Sequence, residues 1–315
     1  MVRPLTEATA TYLVIAGPTG SGKSALAMAL AARLGGEIVS CDSVQIYRGF
    51  DLGAAKPSPV EQLAVPHHLL DCRDGHEDYD AGTFAVDAAA AIHAIRAASK
   101  LPLVVGGTGL YLRALLGQGW HQDLPKDEAL RSSMVLESTA NLWARLQTFD
   151  PIRAAEVHAN DRVRITRSLE LVTLLGSTLA AAGLSASSAR DPAAFIVVLE
   201  PPRPELRRRI ALRTRAMLAS GLVAEVQGLL ASGLEPTSKP MMSIGYKQVA
   251  DYLSGRLSLD ALPEAIMTAT NQYAKRQCTW FRKLDANLRL NGSESLADVI
   301  AQLPWPQLRL GPGQK

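Results

Sequence analysis

The sequence predicts an α/β protein: a mainly parallel sheet with helices on both faces, extended by a helical insertion and a helical C-terminal portion. Three observations carry this. Short apolar runs alternate with Ala/Leu-rich helical segments through the first third of the chain. Those runs end in glycine-rich or Asp-containing turns, as buried parallel strands do. Between Asp123 and Gly183 strand candidates vanish, and one more apolar run returns near Phe195–Leu199. At 315 residues the chain is long enough for roughly two domains. The expected division is an α/β core in residues 1–120, a helical insertion in 121–183, and a return strand with helices in 184–315 that completes the core.

Taken in order, Tyr12–Ala16 is the first strand, and its five apolar residues suit burial on both faces. Ser24–Leu34 reads as a helix, stopped by Gly35-Gly36. Glu37–Ser40 is a second strand leading into Cys41-Asp42-Ser43. Thr83–Ser99 is an alanine-rich helix, and Leu101–Val105 a third strand that ends in Gly106-Gly107-Thr108-Gly109. After the return strand, Pro201-Pro202 and Pro204 punctuate the step into a helical stretch that runs to about Phe281. The tail from Pro304, with Pro, Gly and Gln, is expected to fray.

Composition excludes several classes. With 47% hydrophobic and 20% charged residues the chain is neither disordered nor fibrous. The first twenty residues hold Arg3, Pro4 and Glu7 but no long apolar run, and no stretch nears eighteen apolar residues, so a cytoplasmic protein without a membrane span is expected. Cys41, Cys72 and Cys278 are too few and too scattered for a disulfide framework or a zinc site. The formal charge of +3 hides an asymmetry. Residues 1–140 carry 11 basic and 15 acidic side chains, residues 141–220 carry 12 and 7, and the remainder 10 and 8, a balance of −4, +5 and +2. The basic side chains of the middle segment are all arginine, which suits either a polyanion or a solvated helix surface.

Gly17-Pro18-Thr19-Gly20-Ser21-Gly22-Lys23-Ser24 matches G-x-x-x-x-G-K-[ST] between a predicted strand and a predicted helix. Such a P-loop curls backbone amides around phosphate oxygens at a helix N-terminus; Lys23 adds charge and Ser24 can ligate Mg²⁺. The core is therefore P-loop NTPase-like. No N-K-x-D reads guanine, and Glu200, followed by two prolines, reads as a strand end rather than a hydrolytic carboxylate. A small-molecule kinase is the obvious candidate at this point.

In open parallel sheets ligands sit beyond the carboxyl ends of the strands. Asp42-Ser43-Val44-Gln45 follows the second strand and offers a carboxylate as general base and an amide able to read a base edge; a turn aspartate is the plain alternative. Thr108 presents a hydroxyl in a turn where backbone approaches closely. His67-His68, adjacent on an extended segment, point opposite ways and read as structural. Arg162, Arg164 and Arg167 lie close together, and Arg207, Arg208, Arg209, Arg213 and Arg215 load a second helix on which Arg209 and Arg213 share a face. Tyr273-Ala274-Lys275-Arg276-Gln277 through Trp280-Phe281-Arg282 interleaves basic and aromatic groups, a pattern of RNA contacts or of a core-packed amphipathic helix.

These residues, in this order, resemble the bacterial tRNA dimethylallyltransferase (tRNA isopentenyltransferase) family over nearly the whole chain. The resemblance rests on Gly17–Ser24, Asp42–Tyr47, Lys56-Pro57, Pro66–Leu69, Gly106–Leu112, Arg164–Glu170, Ile244–Gln248 and Tyr273–Arg282. It implies transfer of a dimethylallyl group from dimethylallyl diphosphate to N6 of the adenosine 3′ of the anticodon, position 37, in tRNAs reading codons that begin with U. Asp42 would then take the N6 proton and Thr108 would stand near the adenine or diphosphate. Lys23, Arg213 and Mg²⁺ on Ser24 would stabilise the leaving diphosphate. The resemblance makes Asp42, Ser43, Val44, Gln45, Thr108, Arg131, Arg162, Arg164, Arg167, Ile244, Gly245, Tyr246, Lys247, Gln248, Lys275 and Arg276 the tRNA-facing set of a monomeric enzyme. One departure is Ala54, where the family often has threonine in Gly-Thr-Ala-Lys-Pro.

Overall fold

The computed structural model describes residues 10–117, 124–184 and 191–304. The chain divides into two compact units, Met1–Leu116 with Arg190–Lys315, and Gly117–Ala189. The expected junction at 120/121, the N-terminal segment without an apolar run and the fraying tail beyond Pro304 fall on residues outside those described.

The first unit runs β1 (Tyr12–Ala16), α1 (Lys23–Leu34), β2 (Gly36–Cys41), α2 (Pro59–Ala64), β3 (His67–His68), α3 (Ala81–Ala97), β4 (Leu101–Gly106) and α4 (Gly109–Leu115). The second contributes α5 (Glu128–Ser133), α6 (Thr139–Phe149), α7 (Pro151–Glu156) and α8 (Arg162–Leu175). The first then resumes with β5 (Ala194–Leu199), α9 (Arg203–Ala219), α10 (Leu222–Ala231), α11 (Tyr246–Leu253), α12 (Leu262–Phe281), β6 (Leu288–Leu290) and α13 (Leu296–Ala301).

The six strands form one sheet in the order β3-β2-β4-β1-β5-β6, every pair parallel. All residues of β1, β4 and β5 are buried, so the sheet is covered on both faces, which is why these strands read as unbroken apolar runs. One face, with Leu13, Ile15, Leu103, Val105, Val197 and Leu199, packs against Ala27, Leu30 and Ala31 of α1 and Val299 of α13. Helix α3 packs on β2 and β4. Its N-terminus is fixed by Asp80, whose carboxylate accepts from the Gly82 and Thr83 amides. Gly35 ends α1 at φ +65°, a left-handed conformation that favours glycine.

Two strands escaped the sequence reading. β3 has two residues and β6 three, too short to show periodicity. Tertiary pairing makes β6: Asn287 exchanges hydrogen bonds with the Ile196 backbone, and Arg289 pairs with Glu200 at 2.7 Å. Glu200 thus does the strand-end work expected of it. His68 bonds Glu37 at 2.6 Å and His67 bonds the Val65 carbonyl, structural tasks for both. No helix among the described residues is long and apolar enough to cross a membrane.

The helical unit has its own core: Leu142 and Leu146 of α6, Ala154 of α7, and Ile165 and Leu169 of α8. Asp150 ends α6 and caps α7, where Pro151 follows it; its carboxylate accepts from the Arg153 amide and, over a longer reach, from that of Leu179.

Candidate active site

The loop between β1 and α1 lies at the carboxyl end of the central strand, and lines a cleft of about 1000 Å³ in the first unit. Gly17 cannot carry a side chain, since a Cβ would stand 2.8 Å from the Leu199 carbonyl. Helix α9 braces the loop from outside: Arg209 donates to the Ser21 carbonyl at 3.0 Å, and Arg213 to the Thr19 hydroxyl at 3.2 Å. Gln277 of α12 braces it from above. Its side-chain oxygen accepts from the Thr19 amide at 2.9 Å and its amide donates to the Gly107 carbonyl at 2.8 Å, tying the two glycine-rich turns together.

Arg209 is paired with Glu205 at 2.6 Å, whereas Lys23 and Arg213 have no carboxylate in contact among the described residues. Burial lowers Lys23 to about 8, and the Arg213 charge adds to the effect while Asp42 opposes it. Burial likewise lowers Arg213, again against the pull of Asp42. Ser21 Oγ is buried without a hydrogen-bond partner. Two crowded cations beside an orphaned hydroxyl and the N-terminus of α1 make a site for a polyanion.

Asp42, just past β2, lines the same cleft. Its Oδ1 accepts from the Val44 and Gln45 amides at 2.9 and 3.3 Å, so the aspartate does form the turn that was its plain alternative. Oδ2 has no partner among the described residues and remains available for chemistry. Thr108 caps α4 by position, but its hydroxyl makes no capping bond; the residue lines the cleft with Ser43 and Val44. Apolar side chains line the cleft as well, among them Met217, Met242, Ile244 and Ile266, and so does Tyr273. Burial, with the Asp42 charge, raises the Tyr273 phenol to about 12, so it stays protonated.

Several expected ligand contacts have other tasks. The Gln45 amide is already engaged: Nε2 donates to the Ala54 and Ala55 carbonyls, both at 3.1 Å, and Oε1 accepts from Ser40 at 2.8 Å. It holds a loop, where a base-reading role was expected. Tyr246 is fully buried and bonded to Glu225, and Gly245 and Gln248 cap α11 through the Gly245 amide. Of that segment Ile244 and Tyr246 line the cleft and Lys247 is exposed.

In the helical unit three of the four expected RNA-binding arginines are turned inward. Arg131 and Arg167 both grip Glu170, whose side chain is 0% exposed, at 2.9 and 2.5 Å. Burial works against that charge, but the Asp127 amide and the two guanidinium groups outweigh it and hold the carboxyl below its ordinary value. Arg162 donates to the Met134, Val135 and Glu137 carbonyls behind α5. A guanidinium saturated by carbonyls and a buried carboxylate is part of the scaffold. Arg164, with its side chain 65% exposed and only a 3.4 Å pairing to Asp161, is the outward one. Lys275 and Arg276 are exposed on α12 and, with Gln272 and Thr279, line one shallow groove.

The sequence reading missed Gln277 as a brace and the apolar residues that line the cleft. Gln277 lies one turn after Tyr273, a spacing that places both on one helix face.

The chain was then compared with known proteins, and the model of the IPP transferase family matches residues 45–284. The chain belongs to this family. Among similar IPP transferases is the tRNA dimethylallyltransferase 1 of Trichlorobacter lovleyi, 47% identical over 277 residues, which cover 86% of this chain and 90% of that protein. The tRNA dimethylallyltransferase of Halorhodospira halophila is 45% identical over 302 residues, 91% and 95% of the two chains. Solved structures agree. The full-length tRNA isopentenylpyrophosphate transferase of Bacillus halodurans superposes with TM-score 0.67 at 32% identity, covering 93% of this chain and 97% of its own. A eukaryotic dimethylallyltransferase captured acting on tRNA gives TM-score 0.74 at 27% identity over 86% of this chain and 69% of its own. These relatives and neighbours are named as transferases, and the small-molecule kinase is set aside.

Proposed function

We propose that this chain transfers the dimethylallyl group of dimethylallyl diphosphate to N6 of adenosine 37 in tRNAs reading codons that begin with U, giving N6-isopentenyladenosine and diphosphate. The observation that carries the reading is one cleft lined by a cationic diphosphate cradle, by a carboxylate whose Oδ2 has no partner among the described residues, and by apolar side chains. A kinase would need the first of these; prenyl transfer needs all three.

The P-loop amides, Lys23 and the Ser21 hydroxyl bind the diphosphate, and Arg213 stands where charge grows as the allylic C1–O bond breaks. The hydrocarbon lies against the Met217, Met242 and Ile266 side chains, away from water. As N6 attacks C1, Asp42 Oδ2 takes the N6 proton, and Thr108 offers its hydroxyl to the adenine or the diphosphate. Mg²⁺ fits the donor set: Ser24 is an exposed, unpartnered hydroxyl beside the cradle, and no cluster of three His, Cys, Asp or Glu among the described residues offers another site. Held by Ser24 and diphosphate oxygens, the ion would supply further charge neutralisation to the leaving group.

The adenine must leave its stack to reach Asp42. Arg164, Lys247, Lys275 and Arg276 supply exposed charge for the anticodon arm, and Ser43, Val44 and Ile244 line the adenine's approach. One chain carries every group named, so a monomer suffices, and a tRNA substrate places the reaction in the cytoplasm. Purified protein incubated with Mg²⁺, labelled dimethylallyl diphosphate and unmodified tRNA tests the reading by nucleoside analysis. Label at N6 of adenosine 37 is expected; its absence, with ATP-dependent phosphorylation of a metabolite in the parallel assay, would return the kinase.

A further inference from the structure

Glu225, in the first turn of α10, accepts from three consecutive backbone amides, those of Asp51, Leu52 and Gly53, at 3.2, 2.7 and 3.3 Å. Its fourth donor is the Tyr246 hydroxyl at 2.6 Å. That hydroxyl accepts in turn from the Ala54 amide at 3.2 Å. Burial first, and the Glu225 charge next, raise the Tyr246 phenol, so it remains a donor. The Tyr246 ring lies so close to Gly53 that a Cβ there would meet it at 2.3 Å. One carboxylate and one phenol thus hold the backbone of residues 51–54 in a single conformation.

From the other side the same loop is held by Gln45, through the Ala54 and Ala55 carbonyls. Ala55 has φ +47°, a left-handed conformation an alanine keeps only when its surroundings over-determine it. Gln45 is also one of the two residues whose amides hold Asp42 Oδ1. A continuous path of hydrogen bonds therefore runs from Glu225 and Tyr246 through residues 51–55 and Gln45 to the carboxylate at the reaction centre.

We propose that Glu225 and Tyr246 are positioning residues for proton transfer: they lock the 51–55 loop, and through Gln45 they fix the orientation of the Asp42 carboxylate. This rests on reading Asp42 as the base. The physical reason is that a misplacement of the order of 1 Å in a reacting group costs about a hundredfold in rate, and a loop turn has no stiffness of its own to prevent it.

Glu225→Gln and Tyr246→Phe test it, alone and together, with wild type in the same assay of label transfer to tRNA. Each is expected to lower kcat about 10- to 100-fold with KM for tRNA and for dimethylallyl diphosphate within about threefold. The double variant should be no worse than twice its worse parent, because both act through one loop. Amide exchange should quicken at Val44 and Gln45 as well as at residues 51–54. A tenfold rise in the tRNA KM at unchanged kcat would overturn the proposal in favour of a direct RNA contact. So would Val44 and Gln45 amides that stay protected while residues 51–54 open. Should Glu225→Gln not fold, Tyr246→Phe, which keeps the ring in place, decides alone: kcat within twofold of wild type overturns the proposal. Wild type that transfers no label overturns the transferase reading itself, a result separate from variants that fail beside an active wild type.

Discussion

Asp42 has two oxygens: Oδ1 closes a turn, and Oδ2, without a partner among the described residues, is the one proposed to take the proton. Asp42→Asn keeps an acceptor for the Val44 amide and removes the proposed base. Single-turnover transfer should fall by about a thousandfold while tRNA affinity in filter binding stays within severalfold; an equal fall in both would make the residue a turn and nothing more. The arginines divide just as sharply. Arg164→Ala should weaken tRNA binding and flatten its dependence on salt by about one unit of slope, leaving Tm unchanged. Arg162→Ala should lower Tm, since three carbonyls lose their donor, and leave the slope alone. At this scale the sequence shows which residues are reactive but not which are already satisfied. Arg167 and Glu170 are three apart on one helix and can be paired by eye; Arg131 reaches Glu170 across 39 positions, which no local pattern reveals.

Elements were legible where burial is uniform. β1, β2, β4 and β5 lie inside the sheet, are largely buried though β2 carries Glu37 and Ser40, and were placed to within a residue or two. β3 and β6 are its two edges and owe their existence to partners rather than to composition. The cradle was legible because all its parts are consecutive, whereas its braces, Gln277, Arg209 and Arg213, come from helices far along the chain. Close approach between elements is checked most directly at Gly106. A Cβ there would stand 2.0 Å from the Cys41 carbonyl, between β4 and β2. Gly106→Ala should cost about 3 kcal/mol or more in stability, read as a fall in the denaturation midpoint, because backbone rather than a flexible side chain must give way.

For the molecule as a whole, Glu170 sets an acid limit on the helical unit. Its folded carboxyl lies below the unfolded value, so the stability it lends is present above the unfolded pKa and is lost as pH falls through the folded one. Glu170→Gln should unfold more easily at neutral pH, by about 2 kcal/mol given that both arginines keep some water, and should lose less on acidification than wild type. Sheet topology has a consequence of another kind. β1 sits in the centre of the sheet, yet its neighbours are β4 and β5, and Tyr12 meets Ala194 only across the whole of the helical unit. At roughly 5–20 residues per second a ribosome needs about 10–40 s to make the intervening chain. Through that interval β1 has an edge open, while Leu142, Leu146, Ile165 and Leu169 can already close their own small core. The glycine-rich loop that follows β1 is thus made well before its sheet can give it its shape, which exposes a nascent chain to misassociation at the proposed diphosphate cradle.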